Sequence, residues 1–66
     1  MLNTRGRRYV GRQLTLDEPL VGGRGRVQID DTWWQASADG PLEKGVEVEV
    51  TDTDGATLIV RTFSAG

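Results

Sequence analysis

From Gln13 onward, short runs of alternating apolar and polar residues are separated by breaks rich in glycine and aspartate. Gln13–Leu20 places Leu14 and Leu16 on one face and Thr15 and Asp17 on the other, the period of a half-buried strand. Pro19 cannot donate to a ladder, so it marks the end or edge of that strand. Gly22-Gly23 predicts a turn, and Gly25 permits a bulge or a close backbone crossing. Arg26–Ile29 aligns Val27 with Ile29. Asp30-Asp31 then suits a tight hairpin, because aspartate tolerates left-handed backbone angles.

Thr32–Ser37 predicts the next strand, with Trp34 and Ala36 inward and Trp33 and Gln35 outward. Asp39-Gly40-Pro41 stops it, and Leu42, apolar in a polar connection, is expected to plug one end of the fold. Val46–Val50 turns three valines inward and Glu47 and Glu49 to water. Asp54-Gly55 predicts a hairpin into Thr57–Phe63, where Leu58 and Val60 share a face. Helical periodicity is not sustained anywhere. Five short strands punctuated by nine glycines predict an all-β fold, a small five-stranded OB-like barrel, with an SH3-like barrel as the nearest rival. Residues 1–11 read as a basic flexible leader, 12–63 as the barrel and 64–66 as a tail.

Sixty-six residues support one small core, which typically supplies about 3–5 kcal/mol of net stability. Cysteine and histidine are both absent. That removes disulfides, thiol chemistry, the commonest general base and the commonest transition-metal ligand. Neither an enzyme nor a resident cofactor is expected. Ser37, Ser64 and the threonines have no histidine partner for a triad. Asp30, Asp31, Asp52 and Asp54 match no calcium-loop spacing, and their backbone preferences suit turns. Glu47 and Glu49, about 7 Å apart on one strand face, reproduce a glycosidase separation, but alternating glutamate is ordinary on a solvated strand. Gly22–Arg26 lacks the lysine, hydroxyl and following helix of a phosphate loop.

The formal charge of -2 conceals an asymmetry. Residues 1–26 carry six arginines against Asp17 and Glu18, and residues 27–66 carry Lys44 and Arg61 against eight carboxylates. Such a division argues against nucleic-acid binding, which spreads positive charge over one face. Arg5, Arg7, Arg8 and Arg12 are candidate membrane-proximal charges that attract an anionic lipid surface, or else a solvated linker. No apolar run approaches the roughly 18 residues that span a bilayer, so the chain as written is expected to be soluble. Trp33 is a candidate partner contact together with Gln35 and Phe63; alternatively it shields an open barrel end under the leader or Phe63.

The ordered set Gly11–Leu16, Pro19-Leu20, Gly23–Ala36, Leu42–Val48 and Gly55–Val60 resembles the C-terminal soluble domain of NfeD-like membrane proteins. The resemblance covers about residues 11–60 and is carried by a glycine-initiated first strand, a proline, a G-[KR]-V-x-[IV] strand and a turn into W-x-A. It implies an OB-like barrel that follows transmembrane helices in a full-length parent, on the cytoplasmic side. Such proteins are typically encoded beside stomatin- or flotillin-like membrane scaffold proteins, and the domain is thought to contact them in membrane protein quality control or scaffold organisation. Some longer relatives carry a serine protease domain upstream, which nothing in this chain matches. The resemblance implies a non-catalytic protein-interaction module. The alternative is an oligonucleotide-binding OB domain, for which only Trp33, Phe63 and Tyr9 offer stacking surfaces.

Overall fold

The computed structural model describes residues 6–63. Five strands form one curled sheet: β1 (Gln13–Thr15), β2 (Arg24–Ile29), β3 (Thr32–Ser37), β4 (Glu47–Asp54) and β5 (Thr57–Thr62). Their order is β1-β4-β5-β3-β2. Every neighbouring pair is antiparallel except β3–β5, which is parallel through Ala36–Leu58 and Ser37–Ile59. The sheet curls into a half-barrel, the partly open form of the expected OB-like fold. β1 and β2 are its two edges.

Alternation decides which side chains the curl encloses. Val27 and Ile29, Ala36, Val48 and Val50, and Leu58 and Val60 point inward and are buried, joined by Leu16 and Leu20 from the β1–β2 connection. Trp34 is half-buried against this core, whereas Trp33 faces outward. Leu42 also packs on the core, exchanging backbone hydrogen bonds of 2.8 and 3.1 Å with Leu20.

Both predicted hairpins form. Asp30 and Asp31 adopt φ of 52° and 69°, the double left-handed pattern of a two-residue type I′ turn. Gly55 follows Asp54 at φ 63°. The first strand is shorter than the sequence suggests. It stops at Thr15, because Asp17-Glu18-Pro19 leaves the ladder, although Leu16 still donates to Val46 and accepts from Gly45. The fourth strand is longer, running on to Asp54. Its polar Thr-Asp-Thr-Asp end lacks apolar alternation, yet the tight hairpin pairs it with β5, past a bulge between Val50 and Asp52.

The leader expected over residues 1–11 is a correction from Gly6 on. Arg7–Tyr9 forms a 3₁₀ turn, and Gly11 donates to Val50 at 2.7 Å, extending the β1–β4 ladder. Tyr9 is 6% exposed and meets Trp34 edge-to-face, ring centroids 5.3 Å apart. A small barrel leaves one mouth open, and a large aromatic fills it more effectively than the strands can. A Cβ on Gly6 would lie 2.8 Å from Leu58, so glycine lets this segment settle on the mouth.

Tyr9→Ala is expected to cost about 3 kcal/mol, enough to leave the isolated domain largely unfolded in urea titrations; a loss below about 0.5 kcal/mol would mean a detachable leader. Gly25→Ala is expected to cost about 1–3 kcal/mol, because its Cβ would meet Leu20 Cδ2 at 2.8 Å and the Pro19 carbonyl oxygen at 3.1 Å. Chemical denaturation measures both.

Candidate binding face

The β2–β3 hairpin sets outward residues in pairs: Arg24 opposite Ser37, Arg26 opposite Gln35, and Gln28 opposite Trp33. The parallel β3–β5 pair brings Ile59 beside Ser37, and the β4–β5 hairpin brings Asp54 opposite Thr57. These residues, apart from Gln28 and Trp33, line an open groove of about 690 Å³ across the outer face of β2, β3 and β5. Glu18 from the β1–β2 connection rises on one side and Asp54 on the other. OB-type barrels take up extended ligands in this position, over strands 2 and 3 and between the corresponding loops.

Arg26 organises one wall. Its Nε and Nη2 donate to the two carboxylate oxygens of Glu18, both at 3.0 Å. Its guanidinium carbon lies 4.2 Å from the centroid of the Trp33 ring. The planar fork therefore spends its edge on a carboxylate and its face on an indole, a combination lysine cannot supply. Trp33 remains 39% exposed. The Arg26 hydrogen bonds hold the Glu18 carboxyl below the usual glutamate range. The groove combines a half-buried isoleucine, hydroxyls, an amide and opposite charges. That set can hold a chain by shape and hydrogen bonding.

The three candidate contact residues do not converge. Gln35 lines the groove and Trp33 borders it through Arg26. Phe63, half-buried, lies at the far end of β5. Trp33 is three residues before Ala36 and Phe63 is five after Leu58, so eight steps separate them along the parallel pair. The Arg26 guanidinium covers one side of the Trp33 ring.

Of the candidate membrane-proximal arginines, Arg5 lies outside the described residues. Arg7 pairs with Asp52 at 3.1 Å and Arg12 with Asp30 at 3.0 Å. Arg8 donates to the Tyr9 hydroxyl at 3.0 Å and covers its ring. A hydrogen bond from the Thr53 backbone N–H, followed by one from Arg7, holds the Asp52 carboxyl below its usual range. A second, smaller recess of about 230 Å³ lies at the mouth between Arg8, Tyr9, Thr32 and Trp34. The buried Trp34 Nε1 has no hydrogen-bond partner among the described residues.

Sequence reasoning passed over Arg24, Glu18, Ile59 and Asp54 as a group. Alternation from Val27 and Ile29 does place Arg24 and Arg26 outward, opposite Ser37 and Gln35. The parallel β3–β5 adjacency that adds Ile59 and Asp54 leaves no local signal.

A family model described as the NfeD-like C-terminal, partner-binding domain matches residues 6–61. The inner membrane protein YbbJ of Escherichia coli (strain K12) is 42% identical over 64 residues, which cover 97% of this chain and 42% of that protein. The chain thus spans less than half the length of that curated relative. Two solved structures share the fold. The C-terminal domain of stomatin operon partner protein 1510-C from Pyrococcus horikoshii matches with a TM-score of 0.76 at 33% identity, covering 88% of this chain and 92% of that one. The soluble domain of a membrane protein implicated in regulation of membrane protease activity, from Corynebacterium glutamicum, matches with a TM-score of 0.73 at 28% identity, covering 88% and 97%.

A carboxyl whose folded pKa is depressed stabilises the fold above its ordinary value and stops doing so as pH falls through the lower folded value. The Glu18–Arg26–Trp33 arrangement should therefore persist on acidification past about 4.5, the ordinary glutamate value, and release below it. Followed by the Trp33 indole N–H resonance, the wild type is expected to show an inflection below that pH that Glu18→Gln abolishes. The same inflection in both proteins would contradict the assignment.

Proposed function

This chain belongs to the NfeD-like family of C-terminal, partner-binding domains, and we propose that it is the non-catalytic interaction module of a membrane protein working with a stomatin- or flotillin-like scaffold. The observation that carries the reading is the outer groove of β2, β3 and β5, bordered by an outward tryptophan that an arginine holds in place. Exposed tryptophan and arginine are the residues most enriched among interface anchors. A family described as partner-binding and a fold neighbour named as a stomatin operon partner support the choice of partner class. The C. glutamicum neighbour, implicated in membrane protease regulation, supports a role in membrane protein quality control.

In the full-length parent the domain would sit on the cytoplasmic side of the membrane. No helix among the described residues is long and apolar enough to cross a bilayer, so the parent's other segments would supply the anchor. Arg5, Arg7, Arg8 and Arg12 would face anionic headgroups at that junction. Arg7 and Arg12 would reach the lipid by exchanging their pairings with Asp52 and Asp30.

The oligonucleotide reading draws on Trp33, whose ring Arg26 covers, with Arg24 further along β2. It is weakened by Glu18, which neutralises Arg26 directly, and by Asp54 on the opposite wall. In membranes that hold the full-length parent and a stomatin-like scaffold encoded beside it, the two are expected to co-purify. Trp33→Ser is expected to reduce capture about tenfold, the scale of a lost interface anchor. Co-purification unaffected by Trp33→Ser would remove this face from the contact, and no co-purification at all would remove the scaffold. Submicromolar binding of single-stranded DNA at about 0.15 M salt would favour the oligonucleotide reading instead.

A further inference from the structure

Three ion pairs among the described residues are Arg7–Asp52, Arg12–Asp30 and Arg26–Glu18. The groove therefore keeps two charges that make no ion pair among the described residues, Arg24 on β2 and Asp54 on β4. The other charged pair in its lining, Arg26 and Glu18, cancels itself at 3.0 Å. Each end of the groove thus carries one charge without an ion-pair partner among the described residues, and the two are opposite in sign.

The strand order fixes their separation. From β2 across β3 and β5 to β4 there are three interstrand spacings, about 14 Å, and Asp54, opposite Thr57, lies two residues (about 7 Å) along the strands from the Arg24–Ser37–Ile59 row, so the two backbone positions are about 16 Å apart. Between them lie the amide of Gln35, the hydroxyls of Ser37 and Thr57, and the half-buried Ile59 as an apolar floor. An extended chain rises about 3.4 Å per residue, so four residues span about 14 Å, and the long arginine and lysine side chains bridge the remaining distance of roughly 2 Å. Positions i, i+2 and i+4 of such a chain point the same way. An acid at i, an apolar residue at i+2 and a base at i+4 would then meet Arg24, Ile59 and Asp54 together.

We propose that the β2–β3–β5 groove receives an extended peptide segment of the partner that carries an acidic and a basic side chain four residues apart around an apolar residue. The proposal rests on the partner-binding reading above and adds the chemistry of what is bound. Polyanions fit less well, because the Asp54 end repels the phosphates that the Arg24 end attracts.

The test uses the 66-residue chain, isotope-labelled, and three blocked peptides: Asp-Ser-Val-Thr-Lys, Lys-Ser-Val-Thr-Lys and Asp-Ser-Val-Thr-Asp. Amide shifts are expected at Arg24, Gln35, Ser37, Thr57 and Ile59, with the mixed-charge peptide about fivefold tighter than either control. Arg24→Glu should transfer the preference to the dibasic peptide, and Asp54→Lys should transfer it to the diacidic one. Well-dispersed spectra of both variants establish that they fold. Equal binding of all three peptides, binding of none, or an unchanged preference in both variants would overturn the proposal. Tighter binding of an oligo-dT than of the mixed peptide, at the same amides, would overturn it in favour of nucleic acid. Loss of peptide selectivity with scaffold capture intact rejects the groove chemistry alone. Selectivity without scaffold capture rejects the scaffold reading alone.

Discussion

A sheet of five short strands whose edges do not pair must be closed by something other than its ladder. In this domain β1 is three residues long and β2 is six, and β1 pairs with β4 alone. Side chains and one close crossing hold the seam between the edges. Arg12 reaches Asp30 at one end, and Arg26 takes Glu18 further along. Leu20 crosses Gly25 at a distance that leaves no room for a Cβ. Without the crossing, the β1–β2 connection could not lie against β2, and Leu20 would not be fully buried.

The seam and the binding face share residues. Arg26 joins the β1–β2 connection to β2 and at the same time covers Trp33, so the contact that helps close the fold also shapes the groove wall. Exposed ion pairs are weak alone, but a bidentate fork also stacked on an indole is geometrically constrained. On the opposite face of β3, Tyr9 and Trp34 seal the mouth as an edge-to-face pair. The domain thus has one end finished by packing and one face left open with its charges arranged.

What the sequence discloses follows from how local each signal is. Asp30-Asp31 and Asp54-Gly55 announce their hairpins because left-handed backbone angles are a property of single residues. Val46 to Val50 and Leu58-Val60 announce their inward faces because the strand period is two. Trp34 in and Trp33 out follow from the same rule, and the ordered motifs point to the family. Tyr9 is different: it follows arginines and a glycine, and nothing nearby shows that a barrel mouth needs it. The parallel β3–β5 pair is equally silent, because the two strands meet across the whole β3–β4 connection and β4. Hence Gln35 and Trp33 are visible as outward residues, while Ile59 and Asp54 become their neighbours through topology alone. Phe63, outward by the same alternation, lies too far along the sheet to join them.

The central claim is that the outer face of β2, β3 and β5, rather than the arginine-bearing end or the aromatic mouth, meets the partner. Cross-saturation NMR of the labelled domain in complex with its stomatin-like scaffold tests this most directly. The account predicts saturation transfer concentrated at Arg24, Trp33, Gln35, Ser37 and Ile59. Transfer confined to Arg7 through Arg12 and Thr32, with the groove residues silent, would contradict it.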